Sequence, residues 1–287
     1  MAIGGDGGGS IRVPSAFCGL VGLHPTRGLI PHVDYESATP RLTKTIGPMT
    51  RNVRDAAIAL QALAGPDGRD FVCLQDDPPN YSAELETGVK GIRFLWTDNF
   101  GFAVMPAPLR SPQVIGTARA ACSVLGHQGG VISTIPVEWE NPLTAWLITD
   151  SKITSGTLLD RSDRQKSFSK EEMQETLRVR QKNWDIFRGV FKEHDFVLSP
   201  TVQFIAPKLK DWVEMYKQQA DGQQLPAAVE WFGAHTMMCN LLGLPAISIP
   251  AGFVDGLPVG LQVIGRPRSE AQLLKIAYAL LGSKDQK

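Results

Sequence analysis

The chain has 287 residues, 43% of them hydrophobic and 20% charged, an ordinary globular composition with room for one large domain or two small ones. Lys+Arg and Asp+Glu both number 29, so the formal net charge is zero, and no basic cluster is interleaved with aromatic residues. That balance speaks against a nucleic-acid partner, and no apolar run approaches the ~18–20 residues that cross a bilayer.

The N-terminal stretch Gly4-Gly5-Asp6-Gly7-Gly8-Gly9-Ser10-Ile11-Arg12 runs directly into Val13-Pro14. Consecutive glycines let the backbone turn several N–H groups toward one point. A serine placed directly after them sets a hydroxyl beside those donors. Acyl transfer needs both parts: an oxygen nucleophile, and donors aimed where the oxyanion develops. Ser10 is therefore the candidate catalytic nucleophile, and the backbone N–H groups of Gly7, Gly8, Gly9 and Ser10 are the candidate oxyanion hole. Asp6 and Arg12 are expected to pair across the turn and support its shape. A flexible glycine-rich leader is the plainer reading of the same run. A phosphate cradle is another, but the run lacks a Gly-Lys-[Ser/Thr] ending, and no strand is expected before it.

The stretch from Gly4 to about Pro31 resembles the fingerprint of the amidase signature family of serine hydrolases. Asp6, Gly8, Gly9, Ser10, Ile11, Arg12 and Pro14 fit its first half; Gly19, Gly22, Pro25 and Thr26 fit its second. The resemblance implies a mixed sheet flanked by helices, and amide hydrolysis through an acyl-enzyme on the serine matching Ser10. It also implies a Ser–Ser–Lys triad whose bridging serine and lysine lie upstream. The nine residues before Ser10 contain neither, so residues 1–287 are expected to form a single, incomplete amidase signature domain without its N-terminal part. Loss of that part is expected to expose an apolar face and an unpaired sheet edge. Two departures are visible: Gly5 stands where threonine is usual, and His24 where a structural lysine is usual.

Further along, residues 25–48 read as turn-rich and polar. Thr45-Ile46-Gly47-Pro48-Met49-Thr50-Arg51 leads into a helix capped by Asn52, with Asp55 in its first turn, Val53, Ala56, Leu60 and Leu63 on one face, and Gly65 at its exit. That block also matches the family and carries no chemistry. A polar connection follows over 66–88, then a strand over 89–96. A helix opened by Ser111-Pro112 runs to 126, and a strand spans 131–135. A helix over about 142–156 has Trp146 and Leu147 on its apolar side. Ser169 and Glu172 form a capping box for a helix with the stripe Met173, Leu177, Trp184, Phe187 and Phe191. Residues 196–199 form a short strand, and 202–226 an irregular aromatic segment of the kind that often carries function. Residues 240–252, which again resemble the family, read as helix end, turn and strand. Asp255-Gly256 turns into a strand over 259–264, and Ser269 caps a last helix closed by Gly282.

Strands alternating with helices, plus one hairpin turn, give an α/β class with a mixed sheet covered on both faces. Cys18, Cys73, Cys122 and Cys239 show no Cys-x-x-Cys spacing and no histidine at ligand spacing; they read as free buried thiols of a cytoplasmic protein with no metal and no cofactor. His24, His32, His127, His194 and His235 sit in no recognisable triad motif, and each is expected to be structural unless one replaces the missing base. Trp146, Phe204 and Trp231 either line an apolar acyl pocket or belong to the core. The chemistry points to a small-molecule amide substrate, with self-association of the chain left open. The competing class is a catalytically inactive remnant of an amidase acting as a binding or structural protein.

Overall fold

The computed structural model describes residues 1–32, 42–103, 111–154, 168–211 and 233–282. The strands are β1 (Ala2–Asp6), β2 (Val21–His24), β3 (Thr45–Thr50), β4 (Arg93–Trp96), β5 (Val131–Ser133), β6 (Phe196–Pro200), β7 (Ala246–Val254) and β8 (Leu257–Ile264). The helices are α1 (Arg12–Cys18), α2 (Val53–Leu63), α3 (Pro112–His127), α4 (Leu143–Thr154), α5 (Lys170–Glu193), α6 (Met237–Leu242) and α7 (Glu270–Leu281). One eight-stranded sheet orders the strands β1-β3-β2-β7-β8-β6-β4-β5. It is mixed: β4 runs parallel to β5 and β6, and the other pairings are antiparallel.

Alternation along the strands splits the core into two layers. Phe94 and Trp96 of β4, Phe196 and Leu198 of β6, and Leu261 and Val263 of β8 face the layer built with α2, α3 and α7. Their neighbours Leu95, Val197 and Ile264 face the opposite layer, where Phe187 and Phe191 of α5 and Met238 and Cys239 of α6 pack. On that second side the central strands carry polar residues between the apolar ones. Thr201, next to β6, and Ser248 of β7 are hydrogen-bonded at 2.8 Å, and Gln262 of β8 donates to Ser199 at 3.2 Å. These buried polar side chains mark the face on which α1 and the glycine turn sit.

The helix starts follow their sequence signals. The Asn52 and Ser111 side chains accept from Asp55 N–H and Val114 N–H, and Ser169 with Glu172 closes a reciprocal capping box. Ser269 occupies the N-cap position of α7 but makes no capping bond; its hydroxyl is buried and unpaired. Asp255 and Gly256, both at positive φ (50° and 76°), join β7 to β8 in the expected two-residue hairpin.

Several expectations change. β3 begins inside the stretch that reads as turns, and β1, α1 and β2 are further elements that the sequence does not announce, because all four are short and interrupted by glycine or proline or flanked by them. β4 starts at Arg93 rather than 89, since Gly91 turns the chain at φ 78°. β5 ends at Ser133. Met173 and Leu177 are exposed, so the buried apolar stripe of α5 begins at Val179 and continues through Phe187, Val190 and Phe191. On α4 the buried positions are Ala145 and Ile148, while Leu147 is exposed. Cys18 is exposed, and Cys73, Cys122 and Cys239 are the buried thiols. Among the described residues no helix is long and apolar enough to cross a membrane. β1 lies at one edge of the sheet, with Met1 and Ile3 exposed. Trp231 and most of the 202–226 segment lie outside the described residues.

Gly47 in β3 shows why a strand here tolerates glycine: a Cβ at that position would run into the Leu23 carbonyl of β2. Gly116, in the exposed middle of α3, has nothing within 4 Å of a built Cβ. Chemical denaturation of two alanine variants checks this contrast. Gly116→Ala is expected to stabilise by about 0.5–1 kcal/mol, and Gly47→Ala to destabilise by more than ~2 kcal/mol through overpacking against backbone.

Candidate active site

The glycine turn connects edge strand β1 to α1, and its shape is set by one carboxylate. Asp6 Oδ1 accepts from Gly9 N–H at 2.6 Å, from Arg12 Nη2 at 3.0 Å and from Asn240 Nδ2 at 2.9 Å. Its Oδ2 accepts from Arg12 Nε at 3.0 Å and from Ile11 N–H at 3.3 Å. Both Asp6 and Arg12 are fully buried. Burial opposes ionisation of Asp6, but the Arg12 guanidinium and the hydrogen bonds from Arg12 and Asn240 override it and hold the carboxyl well below the usual range. Arg12 in turn reaches Thr236 O and Gln262 Oε1, both at 2.9 Å, and Asn240 Oδ1 at 2.6 Å. The expected pair is therefore an enclosed network spanning β1, α1, α6 and β8.

This network decides between readings of the turn. N–H groups at the start of α1, which a phosphate would use, already face the Asp6 carboxylate; the chain supplies its own anion. A strand, β1, does precede the run, contrary to expectation, yet the N–H groups of Gly9, Ile11 and Arg12 are taken by Asp6. A flexible leader is also excluded, because the turn is fixed on several sides. Gly9 sits at φ 132° against Thr236, whose hydroxyl donates to Gly8 O at 2.5 Å. From α4, Trp146 donates its indole N–H to Gly7 O at 2.6 Å.

Of the four backbone donors expected in the oxyanion hole, Gly9 N–H is committed to Asp6. The N–H groups of Gly7, Gly8 and Ser10 have no protein partner among the described residues. Ser10 itself is exposed at the tip of the turn, ahead of α1. No histidine of the described residues is presented to it as a base. His24 lies buried beneath the turn, its Nδ1 3.7 Å from Asp6 Oδ1; burial and the Arg12 charge push its pKa down to about 3, so it is neutral. His235 is buried against Phe100, its rings 5.7 Å apart, and burial lowers its pKa to about 3 as well. His194 does bond a serine, Ser133 at 2.6 Å, but Ser133 belongs to β5 at the far edge of the sheet from β1. The second half of the fingerprint is structural: Thr26 N–H donates to the buried Glu270 at 2.6 Å and Thr26 Oγ1 accepts from Arg268 N–H at 2.7 Å, tying the end of β2 to the start of α7. Phe204 is core, packed on Phe17 with ring centroids 5.8 Å apart. Among the described residues no group of three or more His, Cys, Asp and Glu side chains is gathered for a metal.

Sequence reasoning missed Asn240, Gln262 and Thr236 as neighbours of the turn, and named Trp146 only as a pocket-lining or core residue. A polar Gln262 inside the apolar run Leu261–Ile264 was a readable signal of a buried partner; the other three come to the turn only through the fold.

Comparison with known proteins places this architecture. The family model Amidase matches residues 1–155 and 149–274. The chain belongs to the amidase signature family. It is 31% identical over 318 residues to a glutamyl-tRNA(Gln) amidotransferase subunit of Heliobacterium modesticaldum, covering 97% of this chain and 62% of that protein. It is 30% identical over 295 residues to an acylamidase of Rhodococcus erythropolis, covering 96% and 60%. Among solved structures, it superposes on the corresponding glutamyl-tRNA(Gln) amidotransferase subunit of Thermotoga maritima with TM-score 0.76 at 27% identity, over 97% of this chain and 61% of that one. A bacterial aryl acylamidase shares the fold with TM-score 0.79 at 24% identity, over 98% and 61%. The chain thus spans about three fifths of the length of these relatives.

Two outcomes test the network. Arg12→Ala leaves the Asp6 charge buried without its main partner, so a loss of about 3–5 kcal/mol is expected in denaturant titration, enough to unfold much of the chain. The second concerns pH. His24 and His235 have folded pKa values near 3 against 6.5 unfolded, so the unfolded chain binds more protons between those limits. Their contribution is therefore fully present above pH 6.5 and is lost as pH falls toward 3. His235→Leu removes a buried, unpaired imidazole and is expected to flatten that acid limb in urea unfolding midpoints measured as a function of pH; an unchanged slope would exclude His235 as a source of it.

Proposed function

We propose that this chain carries the nucleophile-bearing part of an amide hydrolase, with Ser10 as the attacking residue. The observation that carries the reading is the braced turn: an exposed Ser10 hydroxyl follows a loop whose N–H groups at Gly7, Gly8 and Ser10 are left without protein partners among the described residues, while Asp6, Arg12, Thr236 and Trp146 hold the loop's other polar groups. In the proposed reaction Ser10 Oγ attacks the carbonyl carbon of a small-molecule amide. Its proton passes to a base, the carbonyl oxygen becomes an oxyanion near the free N–H groups, and the amine leaves with a proton. Water then hydrolyses the acyl-enzyme. The family's relatives include an acylamidase and amidotransferase subunits, which supports carbon–nitrogen acyl transfer as the class without choosing between water and a second amine as acceptor.

The base is the unfilled role. No histidine of the described residues reaches Ser10, so we read the lysine and bridging serine implied by the family resemblance as belonging to a segment outside these 287 residues. Residues 1–287 then form one incomplete domain, and the edge strand β1 is where further strands would join. The second reading, a catalytically inactive binding or structural remnant, has this missing base in its favour. Serine hydrolases stripped of triad members keep only about 10³–10⁴-fold catalysis over water, so the chain alone is expected to turn over a simple aryl amide far below an ordinary enzyme rate. The reaction so written draws on no cofactor.

Two measurements separate these readings. With a lysine- and serine-bearing upstream segment supplied, a fluorophosphonate probe is expected to label the chain and not its Ser10→Ala variant; undiminished labelling of the alanine variant would show that the nucleophile is elsewhere. Addition of a lysine- and serine-bearing N-terminal segment of a full-length relative is expected to raise aryl-amide turnover by at least about 10³-fold. No gain on correct assembly would favour the inactive remnant.

A further inference from the structure

Trp146 enters the site from α4, a helix that supplies none of the residues in the Asp6 network. Its indole N–H donates to Gly7 O at 2.6 Å, and its six-membered ring lies 2.9 Å from where a Cβ on Gly8 would be. Position 8 can therefore hold only glycine while Trp146 keeps this place. A trans peptide points its C=O and the following N–H in opposite directions. A donor fixed on Gly7 O therefore directs Gly8 N–H away from α4. The next peptide is fixed in the same manner: Thr236 Oγ1 donates to Gly8 O at 2.5 Å while Gly9 N–H donates to Asp6 at 2.6 Å on the other side. Asp6, Thr236 and Trp146 thus set the planes of two successive peptides, and of the two N–H groups so aimed, Gly9 is satisfied and Gly8 is not.

We infer that Trp146 is a positioning residue which, through its hydrogen bond to Gly7 O, holds Gly8 N–H as an oxyanion donor for chemistry at Ser10. The inference rests on the reading of Ser10 as nucleophile. Trp146 does not touch the reacting atoms; it removes the freedom of a glycine peptide that would otherwise rotate and leave the donor misaimed. Glycine-rich turns need such a device because their backbone has the most conformational freedom to lose, and an oxyanion donor works only when it is oriented in advance.

Binding of phenylboronic acid to the 287-residue chain tests this. Ser10 Oγ adds to the trigonal boron, an O–B bond forms, the serine proton leaves to solvent, and the boron becomes a tetrahedral anion with an oxygen where the oxyanion would sit. The adduct is read by ¹¹B NMR and its affinity by calorimetry. Trp146→Phe keeps an aromatic ring against Gly8 and removes the N–H. Its boronate affinity is expected to fall roughly tenfold or more, with the melting temperature and the weak affinity for benzyl alcohol, which has no oxyanion, unchanged. In the native chain the Trp146 indole N–H resonance is expected to shift on boronate addition, a readout that does not depend on the variant folding. Native boronate affinity in Trp146→Phe, with Ser10→Ala abolishing the adduct, would overturn the inference and leave the Ser10 reading intact. Equal losses for boronate, benzyl alcohol and melting temperature would also overturn it, making Trp146 merely structural. A boronate adduct that persists in Ser10→Ala, or none in the native chain, would remove the Ser10 reading and the inference together.

Discussion

A single buried carboxylate organises this protein's candidate active site. Stripping the Asp6–Arg12 pair of water costs several kcal/mol per ion, and the structure offsets that cost with geometry: a two-point contact between guanidinium and carboxylate, backbone N–H groups of Gly9 and Ile11, and the Asn240 amide, which bonds Asp6 and Arg12 together. The consequence is steric as much as electrostatic. Once Asp6 is ionised and enclosed, the chain from residue 6 to residue 12 has to fold back around it, and Ser10 is left exposed at the tip of that loop.

The sheet explains how such a network is sustained so close to an edge strand. Asn240 comes from α6, Gln262 from β8 and Thr236 from just before α6, so the turn after β1 is tied to the centre of the sheet rather than to its edge neighbours. The polar inward face of β6, β7 and β8 provides the anchoring points, while the opposite face carries the continuous apolar layer under α2, α3 and α7. One face of the sheet contributes stability and the other contributes orientation. Trp146 adds a link from α4, which brings a further part of the chain into the same site.

Much of this was legible in the residues. The Asp6 and Arg12 pairing, the caps of α2, α3 and α5, the Asp255-Gly256 hairpin and the mixed α/β class all follow from local chemistry that a sequence displays directly. What stayed hidden depends on distance in the chain. β2 and β3 are short, with Gly22, Gly47 and Pro48 where strand-forming residues are expected, and they are strands only because neighbouring strands hold them. α1 holds Pro14 within its first turn and is stabilised from outside by the Asp6 carboxylate at its start. The commitment of Gly9 N–H to Asp6 is a matter of turn geometry that residue types alone do not display. The roles of residues 236, 240 and 262 arise from contacts across more than two hundred residues, for which no local pattern exists.

The central claim is that Ser10 forms an acyl-enzyme, and the position of Arg12 makes a direct measurement available. Tryptic cleavage after Arg12 releases residues 1–12, in which Ser10 is the sole hydroxyl-bearing side chain. After the amines, Met1 included, are blocked by reductive dimethylation, the folded chain is exposed briefly to a p-nitrophenyl ester, whose good leaving group lowers the demand for a base; mass spectrometry of the digest is then expected to place the acyl group on that peptide, with none on it when the chain is unfolded in urea before exposure. An acyl group found on other peptides alone, or one that appears on residues 1–12 equally in the unfolded chain, would contradict the account.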